Sequence, residues 1–278
     1  MSDTLLYITL QDFTMHLQKE EKSAVTVGKY LRDAKHFLLY LQGEDITKEN
    51  TIAYKNHLID LGYQVASVNS MLASVNALLA FLDLPQYRVK YVRTQRKAYR
   101  SSDKELTKEE YLRLLKASTL NPKLNLIMQA ICGTGIRISE LRYFTVEAVR
   151  AGEVEVNCKN KTRTVLVPGS LRKHLLNFAK EQGIRSGSIF VTRGGRPLDR
   201  SNIWSQMKQL CAAANVDPGK VFPHNLRKLF ANCFYAVSKD IAKLADVLGH
   251  SSIETTRIYI MTTGREHRRY LESLRLIL

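Results

Sequence analysis

The sequence predicts a mainly α protein, with an N-terminal helical bundle followed by a larger α+β domain that carries a small antiparallel sheet. Three observations predict it. Apolar residues recur at +3 and +4 spacing through most of the chain, the period of a one-sided helix. Around Val154–Val167 the pattern switches to valines alternating with polar side chains, the period of a strand. The length of 278 residues has room for two domains at about 100–200 residues each.

The first 84 residues read as four short helices. Val27, Leu31, Ala34, Leu38 and Leu41 form one stripe, with Gly43 as a stop, and Val68, Leu72, Val75, Leu79 and Leu82 form another, with Ser67 as its N-cap. Weaker stripes run through Leu10, Phe13 and Leu17 and from Ile52 to Ile59. Such a bundle is small but viable as a domain. Residues 85–104 break the pattern. Between Pro85 and Ser102 stand Arg88, Lys90, Arg93, Arg96, Lys97 and Arg100 with three interspersed tyrosines and no acid, which reads as a linker able to lie along phosphates; a solvated linker without a partner is the plainer alternative. A second domain covers 105–278. Thr107 to Glu110 has the form of a capping box before a helix to Ala117. A helix from Lys123 to Cys132 stops at Gly133, a hairpin turns over the basic tip Lys159–Arg163, and Ile189–Thr192 reads as a further short strand before Gly194–Gly195. The remainder reads as helical.

Composition narrows the function. Hydrophobic residues at 45% and charged residues at 24% exclude disorder and collagen-like sequence. The longest purely apolar run, Ala77–Leu82, is too short to cross a bilayer, and no basic residue precedes Lys19, unlike a secretory leader. Cys132, Cys158, Cys211 and Cys233 lie far apart without a CxxC pair, which excludes a zinc ribbon, argues against a disulfide scaffold and fits a reducing cytoplasm. The net charge is +16, which favours a polyanionic partner, nucleic acid or an anionic membrane. No basic amphipathic helix with a bulky apolar face stands out, which favours nucleic acid. Residues 1–100 carry 13 basic against 10 acidic side chains and residues 101–278 carry 29 against 16, so the second domain holds most of the attraction.

Three segments of that domain could carry chemistry. In Gly133-Thr134-Gly135-Ile136-Arg137, glycines end one helix before another begins and leave Arg137 at the boundary, where a guanidinium can present its planar fork to an anion. By itself it reads first as a surface arginine or one paired with Glu140. In Pro223-His224-Asn225-Leu226-Arg227 a histidine and an arginine share the start of a helix whose apolar positions are Leu226, Leu229, Phe230 and Cys233; a capping histidine and a surface arginine account for it equally. In Leu248-Gly249-His250-Ser251-Ser252-Ile253-Glu254, Gly249 stops a helix, Ser251 and Glu254 have capping-box spacing, and His250 is held in the corner between two helices, where a histidine is usually structural. Further on, Ile253, Arg257 and Ile260 define one stripe, and Tyr259 falls about 120° from it at 100° per residue, away from a simple core position.

Taken together, TGIRISEL (134–141), VEVNCKNKTRTVLVP (154–168), PHNLRKLFA (223–231) and LGHSSIETTRIYI (248–260) resemble the tyrosine recombinase or phage integrase family, with Xer-like and conjugative-transposon integrases as the nearest type. The resemblance spans the second domain in order and spacing; the first matches as a bundle of fitting length, a SAM-like core-binding domain. It implies site-specific cutting and rejoining of duplex DNA through a 3′-phosphotyrosyl intermediate. Tyr259 would be the nucleophile, His224 the general base, Arg137 and Arg227 the clamp on the non-bridging oxygens, Lys159 the acid for the leaving 5′-oxygen, and His250 a hydrogen-bonding partner of the phosphate. Lys161 rivals Lys159, because glycines usual around the lysine are missing. Glu140 would support the first arginine without chemistry, and Lys228 stands where a second histidine is common. No metal or other cofactor is implied. The partner implied is double-stranded DNA gripped by a C-shaped clamp, with a homotetramer on synapsed DNA, a monomer or weak dimer when free, and a cytoplasmic, nucleoid-associated location. Leu271, Leu274 and Leu278 in the tail would pack on a neighbouring protomer or on their own domain. The chain begins with the bundle, which leans towards a simple Xer-like arrangement without an arm-binding domain. A non-cleaving DNA-binding protein on this fold and a type IB topoisomerase are the alternatives.

Binding through this basic surface should weaken steeply with salt, with a log–log slope near −0.9 per phosphate contacted. Affinity that stays flat from low to moderate salt in an anisotropy titration would place the DNA interface elsewhere.

Overall fold

The computed structural model describes residues 3–93, 105–158, 161–192, 194–260 and 264–274. It divides into two compact units, Met1–Arg96 and Lys97–Leu278.

The first unit is a bundle of α1 (Asp3–Lys19), α2 (Ala24–Tyr40), α3 (Lys48–Asp60) and α4 (Val65–Phe81). The stripes of α1, α2 and α4 supply its core: Phe13, Leu17, Val27, Ala34, Leu38, Val68, Leu72 and Val75 are all buried. Two local expectations give way. The N-cap of α4 is Gln64, not Ser67, so the helix begins earlier than predicted. Helix α3 buries Thr51, Tyr54 and Leu58 and leaves Ile52 and Ile59 exposed. Aromatic packing decides this: the Tyr54 ring meets Phe37 edge-on and Tyr40 obliquely, and its hydroxyl bonds His36 Nδ1 at 2.8 Å. A buried polar group with a partner outcompetes exposed isoleucines for that face.

The segment after the bundle is a linker only in part. Pro85–Tyr87 forms a 3-10 turn, and Val89 enters the core. Asn76 and Asn69, which share one face of α4, each bond an extended residue reciprocally, Asn76 with Val89 and Asn69 with Val92, at 2.8–3.0 Å. Two side-chain amides thus do for residues 89–92 what a neighbouring strand would do. Residues 94–104 lie outside the described residues.

The second unit opens with α5 (Lys108–Ala117), whose capping box between Thr107 and Glu110 is formed in both directions. Helix α6 (Pro122–Thr134) runs past Gly133 and ends at Gly135, φ 68°; the left-handed residue, not the first glycine, is the stop. A 3-10 turn, Ile138–Tyr143, follows instead of an α-helix. Then come α7 (Val146–Ala151), strands β1 (Glu153–Cys158) and β2 (Lys161–Leu166), and α8 (Gly169–Glu181). The strands pair antiparallel with Val154 opposite Val165 and Val156 opposite Arg163, and the valines lie in the main core with Leu171, Leu175 and Phe178 of α8. The expected strand at Ile189–Thr192 shrinks to isolated bridges, Thr145–Ser188 and Val191–Pro197, because among the described residues no partner strand runs alongside it. Helices α9 (Arg200–Gln209), α10 (Cys211–Ala214), α11 (Pro223–Ser238), α12 (Ile241–Leu248), α13 (Ile253–Ile260) and α14 (Gly264–Ser273) complete the unit. Cys233, expected on the apolar face of α11, is exposed. Before α13 it is Ser252 Oγ, not Ser251, that takes the Glu254 amide, at 3.2 Å. Leu271 and Leu274 on and after α14 are exposed, each 57%, and Leu278 lies outside the described residues.

Two glycines separate backbone need from backbone cost. Gly28 lies within α2 with nothing near its missing Cβ, so Gly28→Ala should raise stability by about 0.5–1 kcal/mol. Gly135 has positive φ and a Cβ there would run into the Phe230 ring, so Gly135→Ala should cost at least about 2 kcal/mol. Urea denaturation, read on the transition of each unit, checks both.

Candidate active site

The site is assembled where α6, α11, α12 and α13 end or begin. Arg227, one turn into α11 beside His224, is 2% exposed. Its Nη1 donates to the Gly135 carbonyl that caps α6. Its Nη2 donates to the Leu248 carbonyl at the end of α12, at 2.7 Å, and meets His250 Nε2 at 3.0 Å. Both carbonyls sit at helix C-termini, the partly negative ends of the dipoles. Burial, followed by the nearby Arg137, lowers the Arg227 guanidinium to about 10, which leaves it cationic at neutral pH.

His250 is held from both sides. Because Arg227 has only donors, Nε2 must accept, so Nδ1 carries the proton and donates to Thr256 Oγ1 at 2.8 Å. In this arrangement Nε2 props Arg227 and does not offer a donor to an anion. Burial and the charges of Arg227, Arg137 and Arg163 push His250 down to about 4. His224 is lowered as well, first by burial and then by Arg227, Lys228 and Arg137, so it is neutral and able to accept a proton at neutral pH.

Tyr259 is 7% exposed, contrary to its expected place off the core face of α13. That helix buries Thr256 and Tyr259 and exposes Ile253, because Thr256 and Tyr259 both meet His250, one by a hydrogen bond and one by ring stacking. The ring lies 5.4 Å from both His224 and His250, stacked on the latter at 26°, and His250 in turn meets Arg227. The phenol therefore shares its corner with both motif histidines, one of which props the Arg227 guanidinium.

Arg137 precedes the 3-10 turn and is bound by Glu140: its amide donates to Oε2 at 2.8 Å and Nη1 to Oε1 at 3.0 Å. Glu140 is 2% exposed. The arginine is thus paired with Glu140 and, at the same time, lines a cleft of about 490 Å³ with His224 and Arg227. Lys159 lies outside the described residues, and so does the side chain of Lys161, whose backbone begins β2. Lys228 pairs with Glu105 at 2.7 Å. Among the described residues, no three His, Cys, Asp or Glu side chains gather as a metal site, and no helix is long and apolar enough to cross a membrane.

The motifs did not point to two parts of this region. The cleft is also lined by Arg200 and Trp204 of α9; the indole donates to the Val221 carbonyl at 3.1 Å, with Lys208 over its face. The signal available was a single tryptophan in a basic domain. The other is Arg163, expected only as part of the basic hairpin tip: it lies within β2 and donates to Glu140 Oε2 at 2.7 Å.

Comparison with known proteins decides the family. The phage integrase family model matches residues 104–265, more than half of the chain, and the N-terminal SAM-like domain of phage integrases matches residues 10–84. The chain belongs to the phage integrase family, the tyrosine recombinases. It is 29% identical to tyrosine recombinase XerD of Halalkalibacterium halodurans over 93% of this chain and 94% of that protein. It is 26% identical to tyrosine recombinase XerA of Pyrococcus furiosus over 99% and 96%. The fold also matches a lambda integrase dimer bound to a core site, with TM-score 0.72, 19% identity and coverage of 93% of this chain and 96% of that one. This phage integrase family member carries its motif histidines, buried arginine and tyrosine in mutual contact.

In the DNA-free protein the His250 ring should stay neutral until the pH approaches 4, well below the ordinary histidine value of about 6.5. The folded state disfavours a proton that the unfolded chain takes up near pH 6.5, so the stability this ring contributes is complete above about pH 6.5 and is lost as pH falls towards 4. A His250 NMR titration with a midpoint near 6.5 would contradict the assigned bonding.

Proposed function

We propose that this chain is a site-specific recombinase that cuts and rejoins duplex DNA, with Tyr259 as nucleophile. The observation that carries the reading is the Tyr259 ring packed against His224 and stacked on His250, the imidazole that meets the buried Arg227 guanidinium at 3.0 Å, with His224 held neutral beside it. A tyrosine normally ionises near pH 10. At neutral pH it needs a base for its proton and cations for the charge it develops.

In the proposed reaction, a scissile phosphodiester enters the cleft between Arg137 and Arg227. Tyr259 Oη forms a bond to phosphorus while its proton passes to His224. The bond from phosphorus to the 5′-oxygen breaks, and that oxygen takes a proton from Lys159, or from Lys161 if the hairpin places it there. The product is a 3′-phosphotyrosyl link and a free 5′-hydroxyl. The reverse reaction with a new 5′-hydroxyl rejoins the strand, because the covalent link conserves the energy of the broken bond. The two guanidiniums neutralise the non-bridging oxygens as charge builds in the pentacoordinate transition state. His250 keeps Arg227 aimed, and Thr256 keeps His250 in the tautomer that does so.

Double-stranded DNA is the proposed partner. Relatives of the fold are known on DNA, among them a lambda integrase tetramer bound to a Holliday junction. A tetramer on synapsed DNA, a monomer or weak dimer when free, and a cytoplasmic location on the nucleoid follow for this chain by the same reading.

On a nicked suicide duplex bearing its recombination site, wild type should form a covalent adduct and Tyr259→Phe none, with DNA affinity kept. An adduct in the Phe variant would remove Tyr259 as nucleophile; tight binding with no adduct from wild type would favour a non-cleaving DNA-binding protein. Arg137→Ala should slow adduct formation by about 10²–10³-fold in single-turnover assays.

A further inference from the structure

Arg163 stands where the hairpin pattern calls for a hydrophobe. It lies opposite Val156 in the register, next to the buried pair Val154 and Val165, and alternation turns these positions to the same inner face. Its side chain, 14% exposed, ends 2.7 Å from Glu140 Oε2. The stem crosses Gly249, where a Cβ would overlap Arg163 Cδ and Nε, and Gly249 immediately precedes His250. One side chain therefore reaches from the hairpin to the carboxylate behind Arg137 and to the corner that holds His250.

Charge supplies the reason. A buried carboxylate paired with one guanidinium forms a neutral unit. If Glu140 had only Arg137, the pair would offer little net charge to a phosphate. With Arg163 as a second cation, the set Arg137–Glu140–Arg163 keeps a single positive charge. The more open end of that set is Arg137, 37% exposed against 14% for Arg163, and Arg137 is the member that lines the cleft.

We propose that Arg163 is a positioning residue that neutralises Glu140 from behind, so that Arg137 keeps its charge and its aim for the scissile phosphate. This inference rests on the reading of Arg137 as a phosphate-clamping arginine. It makes Glu140 harmful when Arg163 is missing, which a purely mechanical anchor would not do.

The experiment compares wild type, Arg163→Met, Glu140→Gln and the double variant on the nicked suicide duplex under single turnover at saturating protein. DNA affinity by anisotropy and melting by circular dichroism are measured alongside. Methionine keeps the stem over Gly249 and removes the charge. Arg163→Met should slow adduct formation by about 10–100-fold, the range for a supporting partner and below that for a direct donor, with affinity little changed. Adding Glu140→Gln should restore part of the lost rate. A wild-type rate in Arg163→Met overturns the proposal. So does a double variant no faster than Arg163→Met, which would make Arg163 an anchor only, and so does a loss confined to affinity, which would make it a DNA-backbone contact. If the methionine variant melts below the assay temperature, Arg163→Lys decides: it keeps the charge and should stay near the wild-type rate, and a full loss overturns the proposal. Wild type that forms no adduct at all would instead bring down the strand-cleavage reading itself.

Discussion

The buried guanidinium of Arg227 ties together segments that are remote in the chain: the Gly135 carbonyl, the Leu248 carbonyl and the His250 ring. A cation taken out of water is costly unless its donors are met. Here its described hydrogen bonds run to helix-end carbonyls and an imidazole. The carbonyls carry partial negative charge but do not cancel a full positive one. Among the described residues no carboxylate pairs with it directly, so a cation lines the cleft, which is the electrostatic condition for holding a phosphodiester and stabilising the charge added to it in the transition state.

Histidine behaviour follows from that condition. Two guanidiniums next to two imidazoles keep both imidazoles neutral by burial and repulsion. Neutral His224 is then a proton acceptor, and neutral His250 is an acceptor for Arg227, its tautomer set by Thr256. The run Thr256–His250–Arg227 is a chain of hydrogen bonds that, with the Tyr259 ring stacked on His250, selects the buried face of α13. Polar satisfaction, and not the isoleucines, decides how that helix docks.

The same logic recurs in the first unit. Asp33 is buried and answered by Lys29 at 3.0 Å and by the Ser74 hydroxyl at 3.0 Å, which sets α2 against α4. Asn69 and Asn76 fasten the segment beyond the bundle to α4. Apolar stripes bring the helices together, while buried polar pairs fix which faces meet and where the chain stops being a linker.

Periodicity and spacing made the four-helix bundle, the hairpin and the Thr107–Glu110 capping box legible, because each is written in residues a few positions apart. The stripe of α2, the Thr107–Glu110 box and the Gly249 stop needed no tertiary information. The motifs also exposed His224, Arg227, His250 and Tyr259, since local words surround each of them. Reading failed where two local signals competed: Gly133 against Gly135 as the end of α6, Ser251 against Ser252 before α13, and Ile52 against Tyr54 on α3. In each case the winner depended on a φ angle or on a partner from another element.

Sequence alone determined the helical periods, the basic balance of the second domain and the chemical types available for a phosphate site. Only tertiary structure decided that Arg137 shares Glu140 with Arg163, that Tyr259 is buried against two histidines, and that Trp204 and Arg200 line the same cleft as the arginine pair. The physical reason is range. Backbone propensity and capping act within one or two helical turns. The pairing of buried charges depends on which distant segments share a low-dielectric interior, and that is known only once the chain has folded.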